Sequence, residues 1–265
     1  MIKLIASDID GTLLVEGSDR INPELFSVIL ELKKKGVVFA AASGRQYYSI
    51  LHVFEPVKDD IIFICENGSN VICRGQEMAS TVLNRKDAED LTRFIRSLKG
   101  CQLTASTKDE MYVEDEDPDF IKFLSEGYHN KMCRVKDILK EDIEIIKMSI
   151  FCKAGVADMV GDVSQEWKDR FHVVQAGDPW IDFMDYSADK GNALKTIQRQ
   201  LNIKPSETMV FGDNYNDLGM IHAAEESYAV GNAQEAVKKA AKYLTKKNTE
   251  DGVLAVLKKL NEDIK

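Results

Sequence analysis

Four short apolar runs in this chain each stop at a polar cluster, and that recurrence limits what the chain can fold into. Ile2-Lys3-Leu4-Ile5-Ala6-Ser7 meets Asp8-Ile9-Asp10-Gly11-Thr12, and Val37-Val38-Phe39-Ala40-Ala41 meets Ser43-Gly44-Arg45. Ile61-Ile62-Phe63-Ile64-Cys65 meets Glu66-Asn67-Gly68, and Thr208-Met209-Val210-Phe211 meets Gly212-Asp213-Asn214-Tyr215-Asn216-Asp217. Runs without polar alternation are strands buried on both faces. Between them lie segments of helical period: Leu25, Val28, Ile29 and Leu32 after Asn22-Pro23-Glu24, then Tyr47 to Phe54, then Gly191 to Leu201. Strands alternating with helices predict a parallel sheet covered on both sides. In such a sheet all carboxyl ends lie along one edge, so the four polar clusters are expected to converge there.

The pattern changes in the middle of the chain. Gln102-Leu103-Thr104, Met111-Tyr112-Val113, Ile146 to Phe151, His172-Val173-Val174 and Trp180 to Met184 alternate polar with apolar residues. Two helices are expected among them, Lys86 to Leu98 and Val156 to Phe171. Alternation predicts a sheet with one solvated face, as in an α+β unit. Residues 84–186 are therefore expected to form a second domain inserted into a core made of 1–83 and 187–265. The acidic run Glu114-Asp115-Glu116-Asp117 reads as a solvated loop, and Asp189 as a solvated residue.

A formal net charge of −9 argues against a nucleic-acid or anionic-membrane partner. The first apolar run is too short for a secretory h-region and acids follow it, and no later stretch approaches a membrane span, so the cytoplasm is the expected location. The five cysteines form no C-x-x-C pair and read as small apolar fillers, and the four scattered histidines suggest no zinc site. Oligomeric state is not legible.

Asp8, Asp10, Asp213 and Asp217 would be crowded at the common edge. Like charges ~4 Å apart repel by about 4 kcal/mol at an effective dielectric of 20, so the group calls for a cation. Carboxylates without nearby His or Cys favour Mg2+ over zinc, and Mg2+ joins carboxylates to phosphate oxygens. A dinucleotide-binding oxidoreductase is disfavoured, because acids stand where its Gly-x-Gly-x-x-Gly turn would follow the first strand.

Asp8-x-Asp10-Gly11-Thr12, Ser43, Lys190-Gly191-Asn192-Ala193-Leu194 and Gly212-Asp213-x-x-Asn216-Asp217 resemble, in order, the four motifs of the haloacid dehalogenase superfamily. The insertion between the second and third resembles the large α/β cap of its Cof-type phosphatases. The resemblance implies a Rossmann-like parallel core and a Mg2+-dependent phosphatase for small phosphorylated metabolites, with sugar phosphates foremost. It implies that Asp8 is the nucleophile forming an aspartyl-phosphate and that Asp10 is the acid/base. Metal would be held by the Asp8 side chain, the Asp10 carbonyl and Asp213. The phosphoryl group would be cradled by the Ile9 and Gly44 amides, Thr12, Ser43, Lys190 and Asn216, with Thr12 orienting Asp10. Asp217 would orient Lys190 or the waters of the metal. A phosphomutase shares the same intermediate and stands as the alternative. A non-catalytic phosphate-binding regulator is less favoured, since Asp8 and Asp10 are both present.

Some residues carry two readings. Ser43 alone reads as a helix N-cap, but as one of the set it reads as a phosphate contact. Asn67-Gly68 is a hairpin signal, with substrate contact by Asn67 as the alternative. Arg45 either reaches the substrate or pairs with a site carboxylate.

Overall fold

A computed structural model describes residues 1–15 and 20–264. The chain divides into two compact units, one of Met1–Arg45, Ile50–Ala79 and Asp189–Lys265, the other of Gln46–Ser49 and Ser80–Ala188. The segment 46–49 is thus grouped with the inserted unit.

The first unit is built on an eight-stranded sheet. Its strands are β1 (Leu4–Asp8), β2 (Val38–Ala42), β3 (Ile62–Cys65), β4 (Asn70–Cys73) and β5 (Gln76–Ser80). After the insertion come strands at Thr208–Gly212, Glu226–Ala229 and Tyr243–Leu244, numbered β12, β13 and β14 below. The order is β14-β13-β12-β1-β2-β3-β4-β5, parallel from β14 to β3 and antiparallel between β3 and β4. Every residue of β1 is buried, as are Phe39 to Ala42 of β2. Both faces of these strands are therefore covered, as unbroken apolar runs require. Asp8 ends the strand between β12 and β2, so the clusters after Gly212 and Ala42 are its immediate neighbours.

Helix α1 (Glu24–Lys34) buries Leu25, Val28, Ile29 and Leu32, one face of a 3.6-residue period, and the Asn22 side chain accepts the Glu24 amide at 3.1 Å. Helix α2 (Tyr47–Val53) ends before Pro56. The Asn67-Gly68 turn joins β3 to β4, with Asn67 in the left-handed region (φ 54°).

The inserted unit contains α3 (Arg85–Ser97), β6 (Cys101–Ser106), β7 (Met111–Val113), α4 (Pro118–Lys122), β8 (Met132–Arg134), β9 (Lys147–Cys152), α5 (Val160–Trp167), β10 (His172–Gln175) and β11 (Trp180–Met184). Its sheet runs β10-β11-β9-β6-β7-β8, antiparallel except for β7 with β8. One face carries Leu103, Ala105, Met148, Ile150, Ile181 and Phe183 into a core with Leu91 and Ile95 of α3 and Val163 and Trp167 of α5. The remaining helices belong to the first unit: α6 (Lys190–Leu201), α7 (Leu218–Ala223), α8 (Glu235–Ala240) and α9 (Gly252–Asp263). There α1 packs on α9 and α6 on α7. Among the described residues no helix is long and apolar enough to cross a membrane.

One expectation for the insert needs correction, and a second gains detail. Its second sheet face is buried: Thr104, Ser106, Lys147, Ser149 and Asp182 are all under 7% exposed. Phe120 and Leu124 pack beside this face with Met111, Val113 and Phe151. Lys147 Nζ lies 3.2 Å from Asp182, whose other oxygen accepts from Ser149 Oγ at 2.7 Å. Alternation reports that the two faces differ in polarity; it does not report whether water reaches the polar one. The acidic run is a loop, as expected, with Glu116 and Asp117 exposed, but two of its acids also have structural partners. Glu114 pairs with Arg96 and accepts the Ile138 amide, and Asp117 caps α4 through the Asp119 amide at 2.9 Å.

Candidate active site

The four polar clusters meet at the carboxyl ends of β12, β1, β2 and β3. Asp8 is 4% exposed, Lys190 1% and Asp217 0%. Lys190 Nζ donates to Asp8 Oδ1 at 2.6 Å and to Asp217 Oδ1 at 2.7 Å. The other Asp217 oxygen accepts the backbone amides of Asp213 and Asn214, at 2.9 and 3.1 Å. Asp217 therefore fixes both the lysine and the loop that presents Asp213. Lys190 is placed by the start of α6, where Asp189 accepts the Asn192 amide at 3.0 Å. Asp189, half-exposed, is thus the N-cap of this helix. Gly191 has a packing reason: a Cβ there would lie 2.3 Å from the backbone of Gly219 in α7.

Gly11 has φ +89°, and a Cβ there would lie 2.3 Å from an Asp213 oxygen. Only glycine fits this turn without strain, and its absent side chain lets the Asp8 loop and the Asp213 loop touch. Thr12 Oγ1 donates to Asp213 Oδ1 at 3.0 Å. This corrects the expectation that Thr12 orients Asp10: the threonine is spent on the opposite acid. Ile9 is buried, and its carbonyl accepts the amides of Leu13 and Leu14, closing the turn.

Asp10 points elsewhere. Arg45 forks onto it through Nε (2.9 Å to Oδ2) and its terminal nitrogen, and Ser43 Oγ donates to it at 3.2 Å. Of the two readings for Arg45, the structure shows the carboxylate pairing. Ser43 Oγ also accepts the Arg45 amide at 3.1 Å, and its carbonyl accepts the Asn67 amide at 3.0 Å. Asn67 Oδ1 accepts from Asn216 at 3.0 Å, and the Asn67 amide group would lie only 3.0 Å from a Cβ on Gly44. Ser43, Gly44, Asn67 and Asn216 are so joined into one polar wall.

The charges are unbalanced. Asp8, Asp213 and Asp217 each bring an oxygen within 4.8 Å of the others, and Lys190 is the cation bonded among them. Burial, then the charge of Asp217, pushes the Asp8 carboxyl well above the ordinary carboxylate range, against the pull of Lys190. Burial and Asp217 also raise Asp213. Burial alone would lower Lys190, but Asp217 and Asp8 outweigh it and hold the ammonium protonated. Asp8 Oδ2 is buried and accepts no hydrogen bond. A buried, unpartnered carboxylate oxygen beside two further carboxylates fits a hard divalent cation. Asp8 and Asp213 are its natural ligands, since both Asp217 oxygens are already committed.

Sequence reading missed Asn232, whose side chain donates to the Gly11 carbonyl at 2.7 Å and braces the first turn. An isolated asparagine beyond β13 offers no signal of that contact.

A family model described as haloacid dehalogenase-like hydrolase matches residues 5–257. The chain belongs to that family. Within the family, the Escherichia coli 5-amino-6-(5-phospho-D-ribitylamino)uracil phosphatase YbjI is 29% identical over 98% of this chain and 96% of its own length. The Bacillus subtilis phosphatase YwpJ is 25% identical over 98% of this chain and all of its own length. A crystal structure from Eubacterium rectale superposes with a TM-score of 0.87 at 34% identity, covering 98% of this chain and 99% of that one. The HAD-like hydrolase fold thus extends over both units, as the order of the motifs implied.

Proposed function

We propose that this HAD-type phosphatase hydrolyses small phosphorylated metabolites, monoesters of sugars or polyols, with Mg2+ and through an aspartyl-phosphate on Asp8. The observation that carries the reading is the asymmetry of Asp8. One oxygen is locked by Lys190, and the other is buried without a hydrogen-bond partner. A carboxylate held this way is positioned as a nucleophile and is not merely a structural acid. Two relatives support the polyol class: Escherichia coli YbjI, at 29% identity, and a second Bacillus subtilis protein, YcsE, at 27%, are both named 5-amino-6-(5-phospho-D-ribitylamino)uracil phosphatases.

The residues divide the work as follows. Asp8 attacks phosphorus in line with the leaving oxygen. Lys190 meets the growing phosphoryl charge with a cation that stays protonated. Ser43, the Gly44 amide and Asn216 supply the polar wall. Asp10 protonates the leaving oxygen and then takes a proton from the water that opens the acyl-phosphate. For this its carboxyl must leave the Arg45 fork, and a phosphate dianion competes for that same guanidinium. Held by Asp8 and Asp213, Mg2+ would offset the repulsion between carboxylate and phosphate dianion.

The test is a hydrolysis screen over sugar phosphates, phosphoribityl compounds, nucleotides and flavin mononucleotide, with Mg2+ and with EDTA. Free phosphate released from monoesters only with Mg2+ is the expected result. Isomerised substrate without phosphate release would replace the phosphatase reading with a mutase.

A further inference from the structure

Cys101 and Cys152 are 51 positions apart in sequence and are register partners on antiparallel β6 and β9. The kind of pairing follows from one hydrogen bond. The Cys152 amide donates to the Pro179 carbonyl at 2.8 Å, on the side of β11. In an antiparallel strand the N–H and C=O of one residue point the same way, so those of Cys152 point away from β6. The two cysteines are therefore a non-hydrogen-bonded pair, the closer kind, with Cα atoms about 4.5 Å apart in regular sheets. That lies inside the window of about 4.4–6.8 Å spanned by disulfides. Both side chains stand on the same sheet face, against the same apolar cluster, and both are half-buried.

We propose that Cys101 and Cys152 are a disulfide site, closed by hydrogen peroxide into a cross-strand staple within the inserted unit. One thiolate attacks the peroxide, giving a sulfenic acid and hydroxide. The second thiolate attacks the sulfenic sulfur, forms the S–S bond and expels a second hydroxide. Both sulfurs are oxidised, both peroxide oxygens are reduced, and the two thiol protons leave in two waters. Cys65, Cys73 and Cys133 face Asn70, Ile62 and Tyr112 in their sheets, so no other register pair of cysteines occurs among the described strands.

Chemistry sets the tempo. Burial and the contact with Cys152 push the Cys101 thiol up to about 11. Little Cys101 thiolate is then present at neutral pH, so the step that uses it is slow and speeds as pH rises. The site answers sustained oxidant rather than a brief pulse. It stands independently of the reaction at Asp8.

The experiment is peptide mapping of the full chain after millimolar hydrogen peroxide at pH 7.5, 8.5 and 9.5, with alkylation of the remaining thiols in denaturant. The expected product is a linked Cys101–Cys152 peptide, two hydrogens lighter than the separate thiols and released by dithiothreitol. Its rate should rise with pH, and it should be absent from Cys152→Ser. Melting of the oxidised protein should shift upward by roughly 5 °C and return on reduction, since a loop of about 50 residues is closed. Recovery of both cysteines as alkylated or singly oxidised residues at pH 9.5, with no linked peptide, would overturn the proposal.

Discussion

Each unit buries a lysine beside an aspartate, and the two pairs are built to different ends. In the insert, Lys147 faces Asp182, whose second oxygen is satisfied by Ser149. In the core, Lys190 bonds Asp8 and Asp217 while Asp213 stands within reach, and Asp8 keeps an oxygen with no partner. The first arrangement closes its bonds in place. The second leaves excess negative charge and an open acceptor, a combination that costs stability and makes sense only where a cation and a phosphoryl group arrive. Burial of a Lys–Asp pair is thus no mark of function; its unbalanced remainder is.

The largest effect should come from removing the open acceptor. Asp8→Asn keeps the size of the side chain and an oxygen for Lys190, so folding should hold. Phosphate release should fall by at least about 10⁴-fold. Substantial steady-state turnover, with deamidation excluded by mass, would show that Asp8 is not the nucleophile. The lysines come next. Lys190→Met should lower kcat by about 10³-fold and leave two buried acids uncompensated. Lys147→Met should cost about 3–5 kcal/mol of stability, the usual result of stripping one partner from a buried pair. Its hydrolysis of a simple aryl phosphate should stay within about threefold of the parent. Equal catalytic losses at the two lysines would dissolve the distinction drawn between them.

Why was one of these lysines legible in the sequence and the other not? Lys190 precedes Gly191-Asn192 and falls in a motif order anchored by Asp8 and Asp213. Its neighbours carry the signal, because the carboxyl ends of parallel strands must meet. Lys147 sits inside an alternating strand, where a polar residue reads as solvent-facing unless the packing over it is known. The same limit hid the partner of Thr12: a threonine two residues beyond Asp10 gives no sign that it turns toward Asp213 in the loop after the adjacent strand. Strand β5 escaped because Gln76–Ser80 is polar and mostly exposed, held as the last strand of its sheet rather than by burial. The pairing of Cys101 with Cys152 depends on register, which spacing along the chain does not encode. Buried periodicity and the strand ends it brings together were therefore readable, and the individual side-chain partners across the fold were not.

Excess negative charge also predicts a pH signature. The Asp8 and Asp213 carboxyls are raised by burial and by Asp217. Between the ordinary carboxylate value of about 4 and these raised values, the folded protein binds more protons than the unfolded chain. Stability therefore falls as pH rises through that window. Metal-free protein should melt higher in mild acid than at neutrality. Saturating Mg2+ should raise the melting temperature most at neutral pH, where both groups must ionise. Asp213→Asn should flatten both trends. Thermal melts at pH 5, 6 and 7, with Mg2+ and with EDTA, measure this. A Mg2+ shift larger at pH 5 than at pH 7 would contradict the charge assignment.

The smallest expected effect sharpens the comparison most finely, because it touches only the orientation of one ligand. Thr12→Val removes the hydroxyl that donates to Asp213 Oδ1 and keeps the shape of the side chain. Losing one hydrogen bond to a charged acceptor is worth about 1.5 kcal/mol, near a tenfold change in binding. The loss should fall on the apparent affinity for Mg2+, with kcat at saturating metal within about threefold of the parent. Ser at this position should restore the affinity. If instead kcat fell at saturating Mg2+ and its acid limb moved, Thr12 would be acting on Asp10, and the hydrogen bond to Asp213 would be incidental to turnover.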